Sequence, residues 1–272
     1  MHVYQIAKRE LKVGFRNPWA YSFLALFALF SLALLVLQSR AYLAGYTYTT
    51  GTMLNLILYL LPLLTMLLAS FSVTAEKEDG SWQLLATYAL SSAAFFWGKY
   101  VGLAVVLISI ACFGYGLSGL AGFLLGRGFT ASALLFFLFF SVCTILLFLS
   151  IAMLVGALSR NRWQALTLGV SVWFFLILAW PTLLISLLSF LPYTWIKPAL
   201  QFATCLNPAE VVRIFSIVKL GAGSVFGADY HSWVTWLESP LGSVGFVALC
   251  LVWIGGTMLA AITVWERGRY RV

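Results

Sequence analysis

The stretch SALLFFLFFSVCTILLFLSIAMLVGAL, residues 132–158, runs for 27 positions without one Asp, Glu, Lys, Arg or His. As a helix rising about 1.5 Å per residue it is about 40 Å long, more than the roughly 30 Å hydrocarbon core of a bilayer. Similar apolar runs at 19–38, 53–74, 100–125, 165–191 and 241–265 predict six membrane-spanning helices. Of the 272 residues 62% are hydrophobic and 9% charged, and mean hydropathy is +1.00, which excludes a water-soluble fold. The expected fold class is an all-α integral membrane protein, with no stretch left over for a soluble catalytic domain.

The net charge of +8 would suggest nucleic acid in a soluble protein, but the basic residues sit in short segments flanking the apolar runs. Six spans bring both chain ends to one side. That side carries Lys8, Arg9, Lys12, Arg16, Lys77, Lys99, Arg160, Arg162, Arg267, Arg269 and Arg271, against Arg40, Arg127, Lys197, Arg213 and Lys219 opposite. By the positive-inside rule this predicts cytoplasmic termini, a lipid bilayer as the principal partner and no nucleic acid. The first run begins near Trp19 and lacks a small-residue cleavage site before Arg40, so it is read as a retained span.

Ahead of it, residues 1–18 project Lys8, Lys12, Gln5, Arg16, Arg9 and His2 on one arc and Val3, Ala7, Leu11, Tyr4 and Phe15 on another, predicting an interfacial amphipathic helix. Glu10 falls inside the apolar arc, where an unpaired carboxylate is costly. It is expected to pair with Lys77 or Lys99. Asn17-Pro18 then breaks the helix.

Residues 192–240 are too long for a plain connection. Asn207-Pro208-Ala209-Glu210 reads as an N-cap, a proline in the first turn and a capping-box glutamate, followed by Val211, Ile214, Phe215 and Val218 at helical spacing. A short amphipathic helix over 208–219, ending at Gly221, is expected on the outer membrane face. Residues 221–239, rich in Gly, Trp and Tyr, read as an interfacial or re-entrant turn.

No predicted span holds an ionisable residue in its interior, which argues against a proton- or sodium-driven carrier. Gly116-Leu117-Ser118-Gly119 matches a nucleophile pattern of intramembrane serine proteases, but His2 and His231 both lie outside the spans, leaving the serine without a base. The small residues read instead as helix-packing positions. Cys112, Cys143, Cys205 and Cys250 are scattered and the methionines form no Met-x-x-Met pair, so no metal site is expected. The chain has no G-x-x-x-x-G-K-[ST] phosphate loop. Any use of ATP therefore needs another subunit.

The polar stretch 75–99 holds Glu76-Lys77-Glu78-Asp79-Gly80 and then Trp82, Leu84, Leu85, Tyr88 and Leu90. It reads either as a solvated connector or as a docking element, an apolar ridge that nothing in this chain obviously covers.

This order of parts resembles the permease subunits of type-2 ABC transporters. Ile6-Ala7-Lys8-Arg9-Glu10-Leu11 is similar to the family's opening, Glu78-Asp79-Gly80-Ser81 with Leu84-Leu85-Ala86-Thr87-Tyr88 to its coupling loop, and Gly98-Lys99-Tyr100-Val101-Gly102 to the entry of its third span. Within the family, Leu206-Asn207-Pro208-Ala209-Glu210-Val211-Val212-Arg213, and Leu158-Ser159 with Leu168-Gly169-Val170, resemble the NosY-type permeases encoded with nitrous-oxide reductase. One departure stands out: Ala89-Leu90-Ser91-Ser92 replaces the proline and Ser/Gly-Arg pair common after the coupling helix.

The resemblance implies an elbow helix at 1–18 with Lys8, Arg9 and Glu10, a six-span domain at 19–265 and a cytoplasmic tail at 266–272. Within the six-span domain lie a coupling loop at 75–99 and an outer segment at 192–240. It implies ATPase coupling through Glu76, Lys77, Glu78, Asp79, Gly80, Trp82, Leu84, Leu85 and Tyr88, with Arg160 and Arg162 on the next cytoplasmic turn. Two NosF-like ATPase subunits would carry ATP and Mg, the chain itself holding no cofactor and being no enzyme. A second copy of the chain, a periplasmic β-helical NosD-like protein contacting Asn207, Pro208, Glu210 and Arg213, and a copper chaperone complete the implied partners in a bacterial inner membrane. The implied role is copper-site assembly of nitrous-oxide reductase, through export of a sulfur species or work on the chaperone. A type-2 exporter of lipid, peptide or drug, and an ATP-independent carrier or scaffold, stay open.

Overall fold

The computed structural model describes residues 2–17, 21, 22, 25, 28, 29, 32, 48–80, 91–124 and 131–269. The described elements are helices: α1 His2–Gly14, α2 Tyr48–Glu78, α3 Ser92–Leu124, α4 Ala131–Leu158, α5 Arg162–Phe174, α6 Trp180–Leu188, α7 Tyr193–Leu206, α8 Pro208–Lys219, α9 His231–Glu238 and α10 Pro240–Arg269. A π turn, Phe175–Ala179, joins α5 to α6. Among the described residues five stretches are long and apolar enough to cross a membrane: Thr50–Glu78, Ser92–Leu124, Ala131–Leu158, Arg162–Leu188 and Pro240–Arg267. The predicted first span, 19–38, lies outside the described residues except for isolated positions.

The spans divide into an inner and an outer set. Half or slightly more of the apolar window of α2, α3 and α4 is buried, against 11% for Arg162–Leu188 and 17% for Pro240–Arg267. α4 is central, packing on α2, α3, α8 and α10, with Phe137, Phe140 and Phe148 sealed inside. Lipid tails are as apolar as these side chains, so close packing and satisfied backbone groups hold the bundle together.

The helices extend further at the N-terminal end of the bundle than the hydropathy pattern predicts. Residues 75–78 continue α2 and residues 92–99 begin α3, so the expected loop 75–99 is helical at both ends. Gly80, at φ 64°, supplies the left-handed residue that closes α2. Lys77 and Lys99 thus stand on helix flanks and point into the structure.

α1 runs beside the first turns of α3 in the same direction, Ile6 meeting Gly98 and Glu10 meeting Gly102. A Cβ on Gly102 would come within 2.6 Å of the Glu10 Cβ and 2.8 Å of the Ala7 carbonyl, so only glycine permits this approach. The buried stripe of α1 is Ala7, Glu10 and Gly14, whereas Val3, Tyr4 and Phe15 of the expected apolar arc are exposed. The docked face is set by Gly98 and Gly102 of α3, which let Ile6, Ala7 and Glu10 approach closely.

At the opposite end, the distal end, the outer segment differs from expectation. α8 forms where its cap sequence places it: the Asn207 side chain accepts from the Ala209 N–H at 2.9 Å, and Pro208 occupies the first turn. It does not lie on the surface. Residues 208–212, 214–216 and 218 are all buried, packed on α4 and α10 and on the π turn. α7 has 14 residues, about 21 Å, and α8 has 12, about 18 Å. Their junction is tied at two points. Asn207 Nδ2 donates to the Leu176 carbonyl at 2.6 Å, and Trp253 Nε1 to the Cys205 carbonyl at 3.0 Å. Leu176 and Trp253 both stand near the middle of their spans. α7 and α8 therefore form a re-entrant hairpin whose apex reaches about half the depth of the bundle. An amphipathic sequence pattern looks the same whether the apolar face meets lipid or protein.

Candidate functional site

Glu10 of α1 finds its partner in Lys99 of α3, at 2.7 Å. The same ammonium lies 3.3 Å from Glu76 of α2 and donates to the carbonyl and hydroxyl oxygens of Ser72, at 3.1 and 2.8 Å. Ser72 in turn donates to the second Glu10 oxygen at 2.9 Å. Lys99, Glu10 and Glu76 are 1%, 3% and 4% exposed, so this is a desolvated network rather than a surface pair. Arg9, half exposed, closes it by reaching Glu76 at 3.0 Å. Two carboxylates thus face two cations, and three helices distant in sequence are joined by charge-assisted bonds.

Lys77, the other candidate for Glu10, does different work. Its Nζ donates to the carbonyls of Gly156, Ala157 and Ser159 at 3.2, 2.6 and 2.6 Å. Carbonyls at the end of a helix lack intrahelical partners and carry partial negative charge, so a lysine there both caps and neutralises α4. The ammonium also lies 5.0 Å from the centre of the Trp265 ring, which stacks on Phe95 at 5.5 Å. One residue further, Glu78 accepts from Arg162 Nε and from the Arg162 backbone N–H, both at 2.8 Å. That amide opens α5, where a carboxylate is favoured by the helix dipole. Asn161 and Gln164 complete the start of α5: the Asn161 side chain accepts from the Gln164 N–H as an N-cap, and the Gln164 side chain from the Arg160 N–H just ahead of it, each at 2.8 Å.

Glu76, Lys77 and Glu78 thus hold α1 and α3, α4 and α10, and α5 respectively. A cleft of about 370 Å³ opens beside them, with Arg9, Glu10, Glu76, Asp79, Lys99 and Arg162 among its lining. Asp79, Lys8 and Arg160 are exposed and Gly80 is half-buried. Trp82, Leu84, Leu85 and Tyr88 lie outside the described residues.

At the distal end Asn207, Pro208 and Glu210 are buried in the bundle and offer no surface to a partner, a correction to the expected contact face. Of the four residues expected there only Arg213 is half-buried. Its Nη1 lies 3.2 Å from Glu210 Oε1 without hydrogen-bond alignment. On the exposed rim, Tyr193 donates to Asp229 at 2.8 Å, and this bond and the carboxylate charge raise the phenol above its ordinary value.

Sequence reasoning missed Ser72, Phe95 and Trp265. Ser72 and Phe95 carry no pattern of their own, and Trp265 looked like an ordinary aromatic at a membrane boundary. The Asn161 N-cap does have a sequence signal, an Asn directly ahead of a helical run.

The model of the ABC-2 family transporter protein matches residues 4–254. A protein of Stutzerimonas stutzeri described as "probable ABC transporter permease protein NosY" is 29% identical over 97% of this chain and 98% of its own length. A protein of Pseudomonas aeruginosa with the same description is 28% identical over the same shares. Matched along nearly its whole length, with helices built to cross a membrane, the chain belongs to the ABC-2 transporter family and is a membrane permease similar to NosY.

Proposed function

We propose that the chain is the membrane half of an ATP-driven transporter, working as a pair of copies above two cytoplasmic ABC ATPase subunits that carry ATP and Mg. In this reading the spans number six, 19–38 being the first, and the end bearing α1 faces the cytoplasm, as the lysine and arginine asymmetry indicates. The observation that carries the reading is the charged end of α2. Glu76, Lys77 and Glu78 each hold different helices of the bundle, and in sequence they lead into Glu78–Ser81 and Leu84–Tyr88, which resemble the family's coupling loop. A push on that segment would be shared by α1, α3, α4, α5 and α10 as a rigid-body displacement. Arg160 and the exposed carboxylate of Asp79 would flank the docked ATPase, and Lys8 and Arg9 would hold the elbow at the membrane surface.

The similarity to NosY along the whole chain supports a finer proposal: a role in assembling the copper site of nitrous-oxide reductase in a bacterial inner membrane. The cargo would be a sulfur species, or the complex would do mechanical work on a copper chaperone. A periplasmic β-helical partner would meet Arg213 and the exposed rim around Tyr193, since Asn207, Pro208 and Glu210 are enclosed.

The test is purification of the tagged protein from native membranes in mild detergent, with identification of what accompanies it. An ATPase together with a secreted β-helical protein supports the copper-site role, and an ATPase alone supports a generic exporter. Absence of any ATPase, under conditions that preserve other membrane complexes, overturns the ATP-driven reading.

A further inference from the structure

Within Arg162–Leu188 the backbone changes register where Pro181 enters. In an α-helix the proline ring would collide with the carbonyl four residues earlier, that of Ile177. The chain instead widens into the π turn Phe175–Ala179, in which the Trp180 N–H reaches back five residues to the Phe175 carbonyl. The next bond in that register would run from residue 181 to the Leu176 carbonyl, and residue 181 is a proline with no N–H to give. Leu176 is therefore left with a carbonyl at mid-membrane depth that its own helix cannot satisfy, a costly state in a bilayer. The side chain of Asn207, at the apex of the re-entrant hairpin, donates to that carbonyl at 2.6 Å while its oxygen caps α8. Asn207 is fully buried, and one amide uses both of its ends on two different elements.

We propose that this bond is a latch: Pro181 creates the acceptor, Asn207 fills it, and the α7–α8 hairpin stays inserted because leaving would strand both groups. The use of the latch rests on the transport reading, in which hairpin movement opens the distal end of the path, but the latch itself does not. Water entering the opening path can satisfy the Leu176 carbonyl in place of Asn207, and the amide is released. The hairpin then swings out.

The test is hydrogen exchange of residues 193–219 in the protein reconstituted in lipid nanodiscs, comparing wild type, N207D, P181A and the double variant. N207D keeps the oxygen that caps Ala209 and loses the donor, and exchange in the hairpin is expected to rise about tenfold. P181A supplies the missing N–H and permits the α register, so exchange is expected to rise by a similar factor, although removing a helix-interior proline ordinarily stabilises a helix. The double variant is expected to match P181A within about twofold. Equal, multiplying effects of the two substitutions would overturn the latch and leave Asn207 as a simple helix cap; so would unchanged exchange in P181A, which is informative even if N207D fails to fold. These measurements use the permease alone and stand whether or not an ATPase accompanies it. In the complex with its ATPase, ATP is expected to raise wild-type hairpin exchange toward the N207D level. No response would overturn the gating use of the latch.

Discussion

Replacing Lys99 by methionine leaves Glu10 and Glu76, both nearly sealed from solvent, facing the single guanidinium of Arg9. Removing one partner of a buried ion pair typically costs about 3–5 kcal/mol, because the other charge stays buried and uncompensated. α1 can relieve this by undocking, which returns both Glu10 and Arg9 to water and opens Glu76 to solvent. At about 1.4 kcal/mol per factor of ten, the docking equilibrium of α1 falls by about 100-fold or more. Hydrogen exchange of residues 2–14 in nanodiscs reads that equilibrium directly, so K99M is expected to exchange there about 100-fold faster than wild type. Removing both charges, in K99M/E10M, leaves the Arg9–Glu76 pair intact and is expected to recover most of the loss. The charge swap K99E/E10K is expected to recover less. The new carboxylate would face Glu76, which now lies 3.3 Å from the ammonium. A change below threefold in K99M, or a double apolar variant as damaged as the single one, would refute the reasoning.

G102L drives a side chain into the Ala7 backbone and should displace α1 without touching a charge, costing about 1–3 kcal/mol by overpacking and raising exchange in residues 2–14 as K99M does. K77M strips the carbonyls of Gly156 and Ala157 in α4, and of Ser159 just past it, of their donor. Thermal unfolding should drop by the equivalent of about 1–3 kcal/mol, with K77R recovering part of it. E78Q, by contrast, alters a half-exposed pair with Arg162 and should stay within about 1 kcal/mol of wild type in the same assay.

Much of the architecture was legible because hydrophobic length is a strong signal: the cores of all five described spans lie where the apolar runs predict. The N-cap and first-turn proline were equally readable, and α8 begins at Asn207 as its sequence dictates, although Glu210 lies against Arg213 instead of closing a capping box. What escaped was the relation between elements. Glu10 announced that it needed a cation, yet Lys77 and Lys99 are indistinguishable until α1 is seen to follow the glycine groove of α3. Both lysines read as topological signals and as candidate partners of Glu10, but the α4 carbonyls that hold Lys77 have no signature in the sequence. The depth of the hairpin was hidden because residues 208–219 have the same amphipathic pattern on a membrane surface or against α4 and α10. Pro181 in an apolar run marks a disturbed helix, but whether it kinks, ends or widens the span depends on whether something distant supplies the missing hydrogen bond.

Glu10 and Lys99 are 89 residues apart in the chain. During synthesis at about 5–20 residues per second, the carboxylate is made roughly 4–18 s before its partner emerges. Through that interval the Glu10 carboxylate waits for its ammonium, and α1 can settle only after the start of α3 has been delivered to the membrane. α1 is therefore made well before it can find its place, and its docking depends on α2 and α3 having been inserted correctly.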